Sequence, residues 1–202
     1  MPHFGFDLDN TLIDYSESCR QYALMNNLTP ISNVLELKKV LRPNHIETEA
    51  WTAAQSWIYG EGLKFAQFSD YALDFVQSLA DKSWKISVHS HKSVTGPARF
   101  GQVPIRQLMQ DWITKSDLSL FFASNLSLNF YDSLDAKING IRKSKLTHYI
   151  DDLPKVLDNL AKRNPSMILV RFEDLSYKFI EMTNKKKSGN WELIKEFFKV
   201  NL

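Results

Sequence analysis

Apolar and polar positions along the chain change period several times, and each change predicts an element. The chain opens on Phe4-Gly-Phe-Asp7-Leu-Asp9-Asn-Thr11-Leu-Ile13, a short apolar run with carboxylates emerging at its end, which predicts a buried strand passing into a loop. From about Asp14 to Ala80 the spacing becomes helical. Tyr22–Met25, Val34–Leu41, Thr48–Tyr59 and Tyr71–Ala80 carry it, with breaks at Thr29-Pro30, Pro43-Asn44 and Gly60-Glu61-Gly62, so a block of about four helices is expected. Strand character returns at Trp84–His89, Leu118–Phe122, Thr147–Ile150 and Met167–Phe172. Helical patterns over Ile105–Thr114, Ser133–Ser144 and Leu153–Arg163 separate these strands, and a last helix fits Trp191–Val200.

Strands alternating with helices predict parallel crossover units. The expected fold class is therefore α/β: a three-layer, Rossmann-like parallel sheet core formed by residues 1–13 and 81–202, with a helical cap domain, residues 14–80, inserted after the first strand. The length of 202 residues suits one domain carrying such an insertion. A hydrophobic share of 44% and a charged share of 24% exclude a disordered or fibrous chain.

Lys plus Arg at 25 against Asp plus Glu at 23 leaves a net +2, so bulk charge does not direct the chain to nucleic acid or to a membrane surface. Lys185–Lys187 reads as a solvated loop. Cys19 is the single cysteine, which excludes an intrachain disulfide and a cysteine zinc site and fits a reducing compartment. No apolar run approaches the ~18 residues that span a bilayer, and the first residues lack the pattern of a secretory signal. The expected location is cytoplasmic.

In open parallel sheets the ligand crevice lies outside the carboxyl ends of the strands. Three polar clusters fall there: Asp7 with Asp9, Ser90, and Asp151 with Asp152, with Lys137 upstream of the last pair. An isolated Asp-x-Asp is usually a turn or a helix cap. Here it belongs to an ordered series, and carboxylates brought together from distant positions repel unless a cation neutralises them. Hard oxygen ligands of this kind suit Mg²⁺. One carboxylate beside such an ion can attack a phosphoryl group while a second, protonated one delivers a proton to the leaving oxygen. A lysine would offset the charge and a serine hydroxyl would bind a phosphoryl oxygen. His89 and His91 share a strand side, but no third ligand accompanies them for zinc.

Phe4-Gly-Phe-Asp7-Leu-Asp9-Asn-Thr11-Leu resembles the first motif of the haloacid dehalogenase superfamily, Ile86-Ser-Val-His-Ser90 followed by His91-Lys92 resembles its second, and Thr147-His-Tyr-Ile-Asp151-Asp152 its fourth. The resemblance runs the length of the chain. It implies Asp7 as nucleophile, Asp9 as general acid and then base, Thr11 as a residue steadying the loop and Asp9, Ser90 as phosphoryl ligand and Lys137 as the catalytic lysine. Lys143 and Lys145 remain alternatives for the lysine, and Ser87 for the serine. Mg²⁺ would be held by the Asp7 carboxylate, the Asp9 carbonyl and the acidic pair, with Asp152 direct and Asp151 through water. His91 and Lys92 would line the entrance to the substrate site. The pair Asp7/Asp9 favours phosphoryl over carbon–halogen chemistry. The implied activity is Mg²⁺-dependent hydrolysis of a small phosphorylated metabolite, of the sugar phosphate or nucleotide class, through an aspartyl-phosphate. A phosphomutase, an enzyme acting on phosphorylated nucleic-acid ends and a non-catalytic binding module are the alternatives. Neither nucleic acid nor a membrane is the expected partner, and oligomeric state is left open.

Overall fold

The computed structural model describes residues 1–121, 126–173, 180–182 and 186–201. Chain contacts divide it into two compact units: Met1–Leu12 with Phe68–His91 and Asp117–Leu202, and Ile13–Gln67 with Lys92–Ser116.

The first unit is built on strands β1 (His3–Phe6), β4 (Lys85–His91), β5 (Leu126–Tyr131), β6 (His148–Asp151) and β7 (Ile168–Phe172), extended by β8 (Ile180–Met182) and β9 (Lys186–Gly189). Their order in the sheet is β5-β4-β1-β6-β7-β9-β8. All neighbours run parallel except β8 and β9. The chain begins in the middle of the sheet, builds outward through β4 and β5, then crosses back to β6 and β7. That reversal makes the carboxyl end of β1 the switch point at which open parallel sheets bind their ligands.

The period of two along each strand sorts the core. Register pairs Gly5 with Ser87 and Tyr149 on one face, and Phe4 with Ile86 and His148 on the other. On the second face Phe4 and Phe6 meet α4 (Ala72–Ala80) and α8 (Trp191–Asn201): ring centroids of Phe4–Phe198, Phe6–Trp191 and Phe75–Trp191 lie 5.3, 5.8 and 5.5 Å apart. On the first face α6 (Leu134–Lys143) and α7 (Pro154–Arg163) cover the sheet through Ile138, Ile141, Val156, Leu157 and Leu160, which pack with Leu146, Tyr149 and Leu169. Ser133 caps α6, its hydroxyl accepting from the Ala136 amide at 3.1 Å. The three-layer parallel α/β core expected from the sequence is present.

The second unit contains α1 (Ser16–Met25), α2 (Val34–Leu41), α3 (Glu49–Ile58) and α5 (Ile105–Thr114). Asn33 and Thr48 cap α2 and α3 through their side chains. The Ser18 hydroxyl donates to the Gly62 carbonyl at 2.9 Å, and Tyr15 stacks edge-on against Tyr59. Strands β2 (Ile13–Asp14) and β3 (Gln67–Phe68) pair in a small separate sheet. These units differ from the expected boundaries in three places: Ile13 and residues 92–116 group with the inserted helices, and residues 68–80, which include α4, group with the core.

Two local expectations are corrected. Leu118–Phe122 is not a strand: Asp117–Phe121 forms a 3-10 turn, Phe122 lies outside the described residues, and the strand follows at Leu126–Tyr131. Lys186 and Lys187, read as loop, belong to β9; Lys185 lies outside the described residues. No helix among the described residues is long and apolar enough to cross a membrane.

Candidate active site

The carboxyl end of β1 bends sharply. The Asp7 amide still donates to the Ile150 carbonyl at 2.8 Å, which holds residue 7 on the sheet, and the Leu12 amide then reaches back to the Leu8 carbonyl at 3.1 Å. Asn10 closes this turn in the left-handed region, φ 58°, which asparagine tolerates better than most residues. The turn is pinned from below at Thr11, whose carbonyl accepts from the Ser69 hydroxyl at 2.8 Å and from the Trp191 indole at 3.0 Å. The Asp152 amide donates to the Thr11 hydroxyl at 3.2 Å. The loops after β1 and β6 are thereby tied together.

Lys137 stands on the first turn of α6, where its side chain reaches back toward the carboxyl edge of the sheet. Its Nζ donates to Asp7 Oδ1 at 2.5 Å and to Asp151 Oδ2 at 2.8 Å. All three side chains are buried, Lys137 to 1% exposure. Asp151 is held further by the Tyr149 hydroxyl on Oδ2 at 2.9 Å and the Leu153 amide on Oδ1 at 2.8 Å. On the other side of β1 the Ser90 hydroxyl donates to Asp9 Oδ2 at 3.2 Å.

Burial drives the electrostatics. It pushes the Asp7 carboxyl up to about 7; Lys137 opposes the shift, while Asp151 and Asp9 add to it. Burial would lower the Lys137 ammonium, but Asp7 and Asp151 outweigh it and hold the ammonium above its ordinary range. Burial, then the nearby carboxylates, keep the Tyr149 hydroxyl protonated far above its usual range, so it serves as a donor.

Asp7, Asp151 and Asp152 each present a carboxylate oxygen within 4.8 Å of the others, the one such group among the described residues. Lys137 balances only part of this charge. The raised Asp7 marks the remaining cost, and hard oxygens converging around it fit a divalent cation.

The structure therefore brings Asp7, Asp9, Thr11, Ser90, Lys137, Asp151 and Asp152 to one edge of the sheet. Thr11, expected to steady the loop and Asp9, holds the loop through its hydroxyl, which accepts from the Asp152 amide. Lys143 is exposed beside Arg142 and Arg163, and Lys145 is exposed in a turn at φ 52°, so of the three candidate lysines Lys137 is the one on Asp7. Ser87 is buried between the rings of His3, 3.1 Å, and His89, 2.9 Å. His89 is further bonded to the Tyr131 hydroxyl at 2.9 Å, a structural network and not a metal site. His91 is exposed at the end of β4. Lys92 is buried in the second unit with Nζ 4.0 Å from the Tyr59 ring centre. Tyr149, Ser69 and Trp191 were missed; only Tyr149 carried a signal, standing two residues before Asp151 on the same strand face.

No protein-family model and no curated protein sequence matches the chain. Solved structures do. A structure described as a predicted phosphatase from Clostridium acetobutylicum aligns with TM-score 0.62 and 16% identity over 100% of this chain and 99% of that one. Protein Tyrosine Kinase A (PtkA) of Mycobacterium tuberculosis aligns with TM-score 0.61 and 13% identity over 100% and 99%. A HAD-superfamily hydrolase of subfamily IA from Geobacter sulfurreducens aligns with TM-score 0.55 and 10% identity over 98% and 96%. A kinase and hydrolases on one scaffold show that fold alone does not choose the reaction. By its parallel sheet and these alignments, the chain has the fold of these solved structures, one of them described as a HAD-superfamily hydrolase.

Proposed function

We propose that the chain is a haloacid dehalogenase-superfamily phosphatase that hydrolyses a small phosphorylated metabolite, of the sugar phosphate or nucleotide class, through an aspartyl-phosphate on Asp7. One observation carries the reading: Asp7, Asp151 and Asp152 converge at the carboxyl edge of the sheet, with Lys137 bridging the first two.

Asp7 is the nucleophile, held in place by its amide bond to Ile150 and by Lys137. Asp9, with one oxygen on the Ser90 hydroxyl, delivers a proton to the departing alcohol and then takes one from the attacking water. The Ser90 hydroxyl and the Lys137 ammonium receive the oxygens of the transferring group. Mg²⁺ is the cation that suits this donor set; the Asp7 carboxylate, the Asp9 carbonyl and Asp152 would hold it, and it would supply charge neutralisation for the phosphoryl oxygens. Both Asp151 oxygens already accept bonds from Lys137, Tyr149 and Leu153, which supports Asp152 as the direct ligand and Asp151 as the anchor behind it. The second compact unit is assigned the role of the cap that selects the substrate, His91 and Lys92 are assigned to substrate binding, and the cytoplasm is the location this reading takes.

The test is a phosphate-release screen over sugar phosphates and nucleotides, with and without Mg²⁺, run beside Asp7→Asn. Metal-dependent release by the wild type and none by D7N is the expected result. Retained activity in clean D7N protein overturns the mechanism. Asp9→Asn is expected to lower kcat by about 10²- to 10⁴-fold, the usual contribution of a general acid.

A further inference from the structure

The row of side chains one step below Asp7 raises a question that the proposed mechanism leaves unused: why a tyrosine lies buried under the acidic pair. Tyr149 is fully buried on β6, between Gly5 on β1 and Leu169 on β7 in register, with Ser87 beyond Gly5 on β4. Its ring fills space that Gly5 leaves empty, since a Cβ on Gly5 would come within 2.8 Å of the ring. The ring also packs among Ile138, Ile141 and Leu146, where phenylalanine would serve equally well for burial. What phenylalanine lacks is the hydroxyl, which is 2.9 Å from Asp151 Oδ2, the same oxygen that receives Lys137 Nζ at 2.8 Å.

Lys137 is shared between two buried carboxylates. An Asp151 with only one strong donor on Oδ2 draws the ammonium toward itself. A second donor on that oxygen offsets part of its charge and fixes its orientation, because Oδ1 is already held by the Leu153 amide. The ammonium is then left extended toward Asp7. From this geometry we infer that Tyr149 is a positioning residue: its hydroxyl holds Asp151 so that Lys137 stays on Asp7 and on the group Asp7 receives. The kinetic consequence rests on the phosphatase reading given above; the positional one does not.

The experiment compares wild type, Tyr149→Phe and a variant carrying 4-aminophenylalanine at position 149, which keeps a donor at the ring's end. Crystal structures supply the first readout. In Y149F, Lys137 Nζ is expected to move beyond hydrogen-bond reach of Asp7 Oδ1, and the amino variant is expected to restore the contact. Steady-state kinetics on the best substrate of the screen supply the second: Y149F is expected to lose about 10-fold in kcat, the lower end of what outer-shell partners are worth, with KM within about twofold, and the amino variant to recover it. A lysine that stays on Asp7 in Y149F overturns the inference, whatever the activity. So does a loss in Y149F that falls on KM alone. If the wild type releases no phosphate from any substrate, the phosphatase reading fails and the crystallographic comparison still decides the role of Tyr149.

Discussion

At the scale of single residues, Asp7 concentrates the conflict between folding and function. Its carboxyl is held up to about 7 by burial and, after the opposing Lys137, by Asp151 and Asp9. In the unfolded chain it returns to its ordinary value, ~3.8. A folded value above the unfolded one means that the stability tied to this group is full below pH ~4 and is lost as pH rises through about 7. Above that range a charged Asp7 is a cost of the native state. Asp7→Asn removes the cost, and Lys137 keeps Asp151 as its partner. D7N is therefore expected to melt above the wild type at pH 8 without metal, by ~2–4 °C for each kcal/mol relieved. Added MgCl₂ should raise the wild-type melting temperature more than that of D7N, because binding to the native state stabilises it by mass action. Differential scanning fluorimetry with chelator and with Mg²⁺ checks both; a D7N protein that melts lower, with an equal Mg²⁺ shift, contradicts the argument. Residues of this kind were legible in the sequence because Asp7 with Asp9, Ser90, and Asp151 with Asp152 close successive apolar runs in one ordered series, which a lone turn or helix cap does not require. Trp191 and Ser69 were not, since each supports Thr11 from far along the chain and by a bond to backbone, which leaves no trace in local pattern.

At the scale of elements, legibility followed burial on both faces. β1, β4, β6 and β7 read as short apolar runs because helices cover them on either side. β5 is an edge strand in which only Leu126 is buried and every later position stays at least partly open, so Leu-Ser-Leu-Asn-Phe-Tyr does not outcompete the richer run at Leu118–Phe122. Leu118 is fully buried, yet it reaches the core from a 3-10 turn. β9 pairs with β7 and β8 through backbone groups, which Lys-Lys-Ser-Gly supplies as well as any sequence. The helix α4 reads like the helices before it, but its apolar face, Phe75, Val76 and Leu79, packs on the sheet, and only a partner shows that. Close packing between elements yields a further test at Gly140. A Cβ there would run into the ring of Tyr131, whose hydroxyl is bonded to His89. Gly140→Ala improves helix propensity on α6 by up to ~1 kcal/mol, but overpacking costs ~1–3 kcal/mol, so net destabilisation is expected. Urea denaturation of G140A should give a lower midpoint at unchanged slope; a higher midpoint means that Tyr131 yields without cost.

At the scale of the whole molecule, buried histidines make the core unit sensitive to acid, His89 and His148 more than His3, which burial and Lys85 also lower. His89 and His148 stand on β4 and β6, the strands that flank β1, and face opposite sides of the sheet. Burial, then Lys137 and His3, hold the His89 imidazole down to about 3, and burial holds His148 to about 4, stacked 4.1 Å from Phe4. Both are neutral in the native state and take up a proton on unfolding near their ordinary value, ~6.5. Folded values below the unfolded ones mean that the stability these groups contribute is present above pH ~6.5 and is lost as pH falls toward 4 and then 3. Asp7 acts in the opposite sense between pH ~4 and 7, so the measurement belongs in D7N, where that opposition is gone. Unfolding free energy of D7N between pH 7.5 and 4.5 should fall with acid, and His148→Phe in the same background, which keeps a ring against Phe4, should reduce the proton uptake on unfolding by about one. An unchanged pH slope in D7N/H148F would show that His148 is already charged in the native protein, and that the stack on Phe4 does not depend on a neutral ring.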